Sequence, residues 1–131
     1  MTKTPSEAEQ RDVAARFAAA LLHGDGAAAG ALLVEHADRA ALGFLIQRAA
    51  APWRIQHASI RPPVRRSGNR WTFSYAGRRT QRDGSFETES GHLVVFVART
   101  AAGAGVEFFV FRDVRKRFST HHDALLLPSN R

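Results

Sequence analysis

The chain has 131 residues, 44% hydrophobic and 24% charged, with nineteen Lys or Arg against twelve Asp or Glu and a net charge of +7. That length supports one domain, 1–131, with a core of its own, and the absence of Cys removes disulfides, thiolate metal sites and Cys nucleophiles. No window approaches the ~18 apolar residues of a membrane span, and the opening MTKTPSEAEQ lacks the apolar core of a signal peptide. The expected location is therefore cytoplasmic, unless a leader has been removed. Charge is unevenly placed, since Arg39 to Arg82 holds ten Arg and neither Asp nor Glu.

Thr4-Pro5-Ser6-Glu7 reads as a helix start, with Ser6 as N-cap and Glu7 and Glu9 favoured in the first turn by the helix dipole. Val13, Phe17 and Leu21, with Ala14, Ala18 and Leu22, form one apolar stripe. His23-Gly24-Asp25-Gly26 stops that helix, and Asp25 caps a short second one over Ala27–Leu33. Asp38 caps a third, running to about Ala50, whose expected buried side is Ala41, Leu42, Leu45 and Ile46. Pro52 closes the helical half.

From Trp53 the period changes to that of strands. Trp53, Ile55 and His57 alternate with Arg54, Gln56 and Ala58 in a strand to about Arg61, which Pro62-Pro63 ends. Val64–Asn69 reads as a turn. Trp71, Phe73 and Tyr75 then alternate cleanly with Thr72, Ser74 and Ala76. Asp83-Gly84 predicts a two-residue type I′ hairpin between Arg82 and Ser85. The last two apolar runs, Leu93–Ala98 and Val106–Phe111, are β-branched and aromatic and predict a strand pair around the linker Thr100–Gly105. Both parities are apolar, so both faces of this pair need a cover: helices on one, and on the other a second copy of the chain.

The expected architecture is α+β, with three N-terminal helices packed on a curved four-stranded antiparallel sheet and flexible ends at 1–5 and 119–131. The segment Ala15 to Leu33, with its Gly24-Asp25 turn between helices, resembles the opening of nuclear-transport-factor-2-like proteins (NTF2-like, the SnoaL and ketosteroid-isomerase group). That resemblance implies a cystatin/NTF2-like cone holding a pocket, homodimers through the outer sheet face, and either small-molecule chemistry or a non-enzymatic place in an assembly. The ketosteroid isomerase pattern of a Tyr on the first helix with two pocket acids is not matched. The only Tyr is Tyr75, on a strand.

With the two-residue hairpin, Tyr75 faces His92, Phe73 faces Val94 and Trp71 faces Phe96. With Ala101–Ala104 as the next loop, Phe96 meets Phe109, Val94 meets Phe111 and His92 meets Asp113. The result is a Tyr75–His92–Asp113 row beside a pocket wall of Trp71, Phe73, Val94, Phe96, Phe109 and Phe111. In such a row Asp113 orients His92 as general base and Tyr75 hydrogen-bonds a developing oxyanion, chemistry suited to an isomerase or lyase acting on a hydrophobic ring-like substrate. The competing reading is a polar row that satisfies its own hydrogen bonds.

Arg61, Arg65, Arg66 and Arg70, interleaved with Trp53, Trp71 and Tyr75, offer an anion-binding alternative that extends to nucleic acid. Against it stands an Arg-rich edge that merely stays solvated, and no nucleic-acid motif is present. Arg112, Arg115, Lys116 and Arg117 carry the same two readings. His121-His122 lacks spaced partners, so no metal site is expected, and neither Gly-rich turn begins a phosphate loop, so no cofactor is implied.

Overall fold

A computed structural model of the chain describes residues 6–50, 57–65, 68–101 and 103–119. Each helix starts where a side chain accepts from an otherwise unpaired first-turn amide. Ser6 accepts from the Glu9 N–H at 3.1 Å, Asp25 from Ala28 at 3.0 Å and Asp38 from Ala41 at 3.1 Å, opening α1 (Glu7–Leu22), α2 (Gly26–Gly30) and α3 (Arg39–Ala49). α1 buries Ala14, Phe17, Ala18, Leu21 and Leu22 of the predicted stripe, while Val13 is only half-buried against the same core. On α3 the stripe is narrower than expected. Leu42 and Ile46 are buried, whereas Ala41 and Leu45 face solvent, because only one i, i+4 line of this helix meets the core.

α2 stops at Gly30, short of the expected Leu33, because the chain leaves it to join the sheet. Leu33 bridges Val106 in parallel, with the Val34 N–H donating to the Val106 carbonyl at 2.9 Å and the Val106 N–H to the Leu32 carbonyl at 2.8 Å. Gly105 lies where this segment crosses. A Cβ there would sit 2.5 Å from Val34 Cγ1 and 3.2 Å from its Cα and N. Gly105→Ala is expected to cost about 1–3 kcal/mol by overpacking, read as a lower denaturation midpoint with an unchanged denaturant slope.

The second half is one antiparallel sheet of five strands: β1 (His57–Ile60), β2 (Val64–Arg65), β3 (Arg70–Thr80), β4 (Phe86–Thr100) and β5 (Gly103–Ser119). The order is β1-β3-β4-β5, with β2 also paired to β3. The expected four-stranded sheet gains its fifth strand because Val64 and Arg65 pair with Thr72 and Trp71 instead of lying in a turn. Trp53 to Gln56, expected in the first strand, lie outside the described residues. β4 runs on to Thr100 and β5 resumes at Gly103, so the connection is much tighter than the anticipated Thr100–Gly105 linker.

The helices lie against one face. Trp71, Phe73, Tyr75, Leu93, Val95, Val97, Val106 and Phe109 form one buried cluster with Phe17, Leu21, Leu42 and Ile46. Phe17 packs on Phe109 with ring centroids 5.3 Å apart. The opposite, outer face is formed by the residues of other parity, from Arg70, Thr72 and Ser74 on β3 to Phe108, Val110 and Arg112 on β5. Among the described residues no helix is long and apolar enough to cross a membrane.

Candidate functional site: the outer face of the sheet

Two departures from the expected register decide what the outer face carries. The first is the hairpin at Asp83-Gly84. Gly84 sits at φ +86°, its N–H donates to the Gln81 carbonyl at 3.1 Å, and the Gln81 N–H donates to the Ser85 carbonyl at 2.7 Å. This is a three-residue loop, Arg82–Gly84, closed by a left-handed Gly, and not a two-residue turn. An odd loop moves every later pairing by one position. Tyr75 therefore lies opposite Gly91, Phe73 opposite Leu93 and Trp71 opposite Val95. The expected pairs with His92, Val94 and Phe96 are not made.

The second departure is a pair of irregularities between β4 and β5, at Ser90/His92 and at Phe96/Val97. At the first, Asp113 and Val114 oppose the single residue Gly91, and Asp113 takes φ +54°, the left-handed conformation of a bulge's leading residue. Phe96 now pairs with Phe108, Val94 with Val110 and His92 with Arg112, each replacing the expected Phe109, Phe111 and Asp113. The bulge nevertheless swings Asp113 toward His92, whose Nδ1 lies 3.3 Å from Asp113 Oδ2.

The anticipated row thus divides between the two faces. His92 and Asp113 remain together on the outer face. Tyr75 is buried on the helix side, where its hydroxyl donates to the carboxylate of Glu89, which is also buried. Tyr75 thus commits its hydroxyl to Glu89 and not to a position beside His92. The pocket wall divides as well. Trp71, Phe73 and Phe109 are core residues and Phe111 packs against the core, whereas Val94 and Phe96 are on the outer face. Glu89 escaped sequence reasoning because its pairing with Tyr75 depends on a strand offset that no local motif announces.

What the outer face does hold is a concavity of about 570 Å³ lined by Ser59, Arg61, Ser74, Ser90, His92, Asp113 and Arg115, with Tyr75, Ala76 and Gly91 also bordering it. Three successive rows of paired residues build it and its margin. Ser59 faces Ala76, which faces Ser90, which faces Arg115. In the next row the Arg61 N–H donates to the Ser74 carbonyl at 2.9 Å, Ser74 faces His92, and His92 faces Arg112. On the other side Arg78 faces Thr88, which faces Arg117. Every row ends on an Arg of β5.

Carboxylates are scarce here. Of the strand acids Glu87, Glu89, Glu107 and Asp113, the first two take the parity of the helix side and Glu107 accepts from Asn69 at 2.9 Å. Asp113 is the one that lines the concavity. Arg61 and Arg115 have no carboxylate partner among the described residues.

The four Arg singled out from sequence are dispersed by the fold. Arg61 lines the concavity, Arg65 pairs with Glu7 and lies 5.9 Å from the Trp71 ring centre, and Arg70 lies over Phe96 at 5.6 Å. Arg66, and likewise Trp53 and His121-His122, fall outside the described residues. Ser59, Ser74 and Ser90 were missed, although Ser74 follows from the Trp71-Phe73-Tyr75 alternation once that set is assigned to the core. No group of three His, Cys, Asp or Glu placed to hold a metal occurs among the described residues. No protein-family model matches the chain, and no curated protein matches it either.

Proposed function

We propose that the chain is an NTF2-like binding module that holds an anionic partner on the outer face of its sheet, a non-enzymatic reading. The observation that supports it is the concavity in which Arg61 and Arg115, neither paired with a carboxylate among the described residues, stand beside three Ser hydroxyls and His92. Guanidinium groups present a fixed fork of donors to oxygen anions. A concave surface with an excess of one charge, here Arg61 and Arg115 against the single carboxylate of Asp113, raises the local concentration of the opposite charge. Membership of the NTF2-like group rests on the order of elements and the Gly24-Asp25 turn. Binding of a hydrophobic small molecule draws less support, because most of its expected wall packs into the core. A second copy of the chain seated on this face would compete with the anion for the same surface.

Titration with inorganic pyrophosphate, followed by amide chemical shifts, tests the reading. Shifts are expected to concentrate at Ser59, Ser74, Ser90 and Arg115 and to vanish in the Arg61→Glu/Arg115→Glu variant. Both side chains are at the surface, so that variant is expected to keep its fold. Shifts that scatter over Arg11 and Arg16 on α1, or that survive the double charge reversal, would count against it.

A further inference from the structure

Building on that anion-binding reading, we propose that the partner is a single strand of nucleic acid lying along the outer face, its phosphates on the Arg rows and its bases on the aromatic residues at either end. The face is longer than a small anion needs. Phe86 and Phe96 lie on β4 with the same parity, ten residues apart, which is about 33 Å of strand, and the basic rows run between them. At one end Phe96 and Phe108 are in contact, with centroids 5.9 Å apart, and Phe108 is 45% exposed. Arg70 covers Phe96 at 5.6 Å, and at the far end Arg78 covers Phe86 at 5.4 Å.

Along β5, Arg115 and Arg117 stand two residues apart on this face, hence about 7 Å, and Arg112 precedes them across the bulge. This gives a line of cations beside the trough, the arrangement that follows a linear polyanion. An acidic peptide would satisfy the cations but makes little use of the exposed Phe108 ring or of the half-buried Phe86 and Phe96 rings with their guanidinium planes. Bases use both, since every base has a face to stack on a ring or on an Arg plane. Only unpaired bases can reach those rings, which selects single strands over duplex.

The test is fluorescence anisotropy with thymidine and uridine oligonucleotides of roughly ten nucleotides, at several salt concentrations, with inorganic polyphosphate as competitor. Log affinity is expected to fall linearly with log salt, and Arg117→Gln to reduce the slope by about 0.7, the share of one single-strand phosphate. Phe108→Ala is expected to weaken oligonucleotide binding about tenfold, the effect of losing one stacked base, and to leave polyphosphate binding unchanged. Because Phe108 is exposed, that variant is expected to fold. Comparing the two sugars separates DNA from RNA as the source. If Phe108→Ala changes neither ligand, or polyphosphate binds as tightly as the oligonucleotides, the nucleic-acid inference fails and the anion-binding reading stands. Should neither ligand bind, both fail. A drop in oligomeric mass without a drop in affinity would make Phe108 part of an interface between copies and overturn the proposal.

Discussion

Phe17→Ala is expected to lower the free energy of unfolding by about 3–5 kcal/mol. Phe17 is completely buried and packs on Phe109 across the boundary between α1 and the sheet. Truncation removes the transfer energy of the ring and leaves a cavity that α1 cannot close, because Ala14, Ala18 and Leu21 already fill its flanks. A domain of this size is stable by only about 5–15 kcal/mol, so this single change takes a large share. Equilibrium denaturation measures it. Phe44→Ala is the control, since Phe44 is 59% exposed and surface changes stay within about 0.5 kcal/mol. A loss below about 1.5 kcal/mol at Phe17 would mean that α1 is only loosely seated on the sheet.

The second large effect is expected at Gly91. It lies directly beneath the β5 bulge, where a Cβ would approach the Arg112 carbonyl oxygen at 3.1 Å, Val114 Cα at 3.2 Å and the Asp113 carbonyl oxygen at 3.4 Å. All three are backbone atoms, so no side-chain rotation relieves the crowding. Gly91→Val must displace the bulge, at a cost of about 3 kcal/mol. It should also separate His92 from Asp113 and weaken anion binding in the trough, with α1 still packed on Phe109. Backbone chemical shifts at Arg112 to Val114, read beside the denaturation curve, resolve the two consequences. A variant that melts like the parent chain would show that β5 passes Gly91 at a greater distance.

The helical half was legible because its signals are local. Ser6, Asp25 and Asp38 each act on an amide three positions away, and the α1 stripe is fixed by residues within a few turns. The runs Leu93–Ala98 and Val106–Phe111 likewise announce strands by composition. The candidate site was harder because it depends on differences of one residue. Asp83-Gly84 signals a hairpin without stating whether its loop holds two residues or three, and that choice exchanged His92 for Gly91 opposite Tyr75. The β5 bulge is equally silent, since Asp113 carries no mark of its left-handed conformation. His92 and Asp113 still meet, but through the bulge and not through the ladder. Leu45 was misplaced for another reason. An apolar residue on a short helix resembles a core residue until the neighbouring surfaces are known.

The sheet's connectivity also bears on how the chain acquires its shape. β3, β4 and β5 follow one another in sequence and in space, joined by very short loops, so their pairing closes little chain and costs little entropy. The contacts of Phe17 with Phe109 and of Leu33 with Val106 close most of the chain. The meander is thus able to organise first, giving the helical half a finished surface on which to settle. In that order the outer trough, built from the strands and from Arg61 just beyond β1, takes form before the core beneath it is sealed.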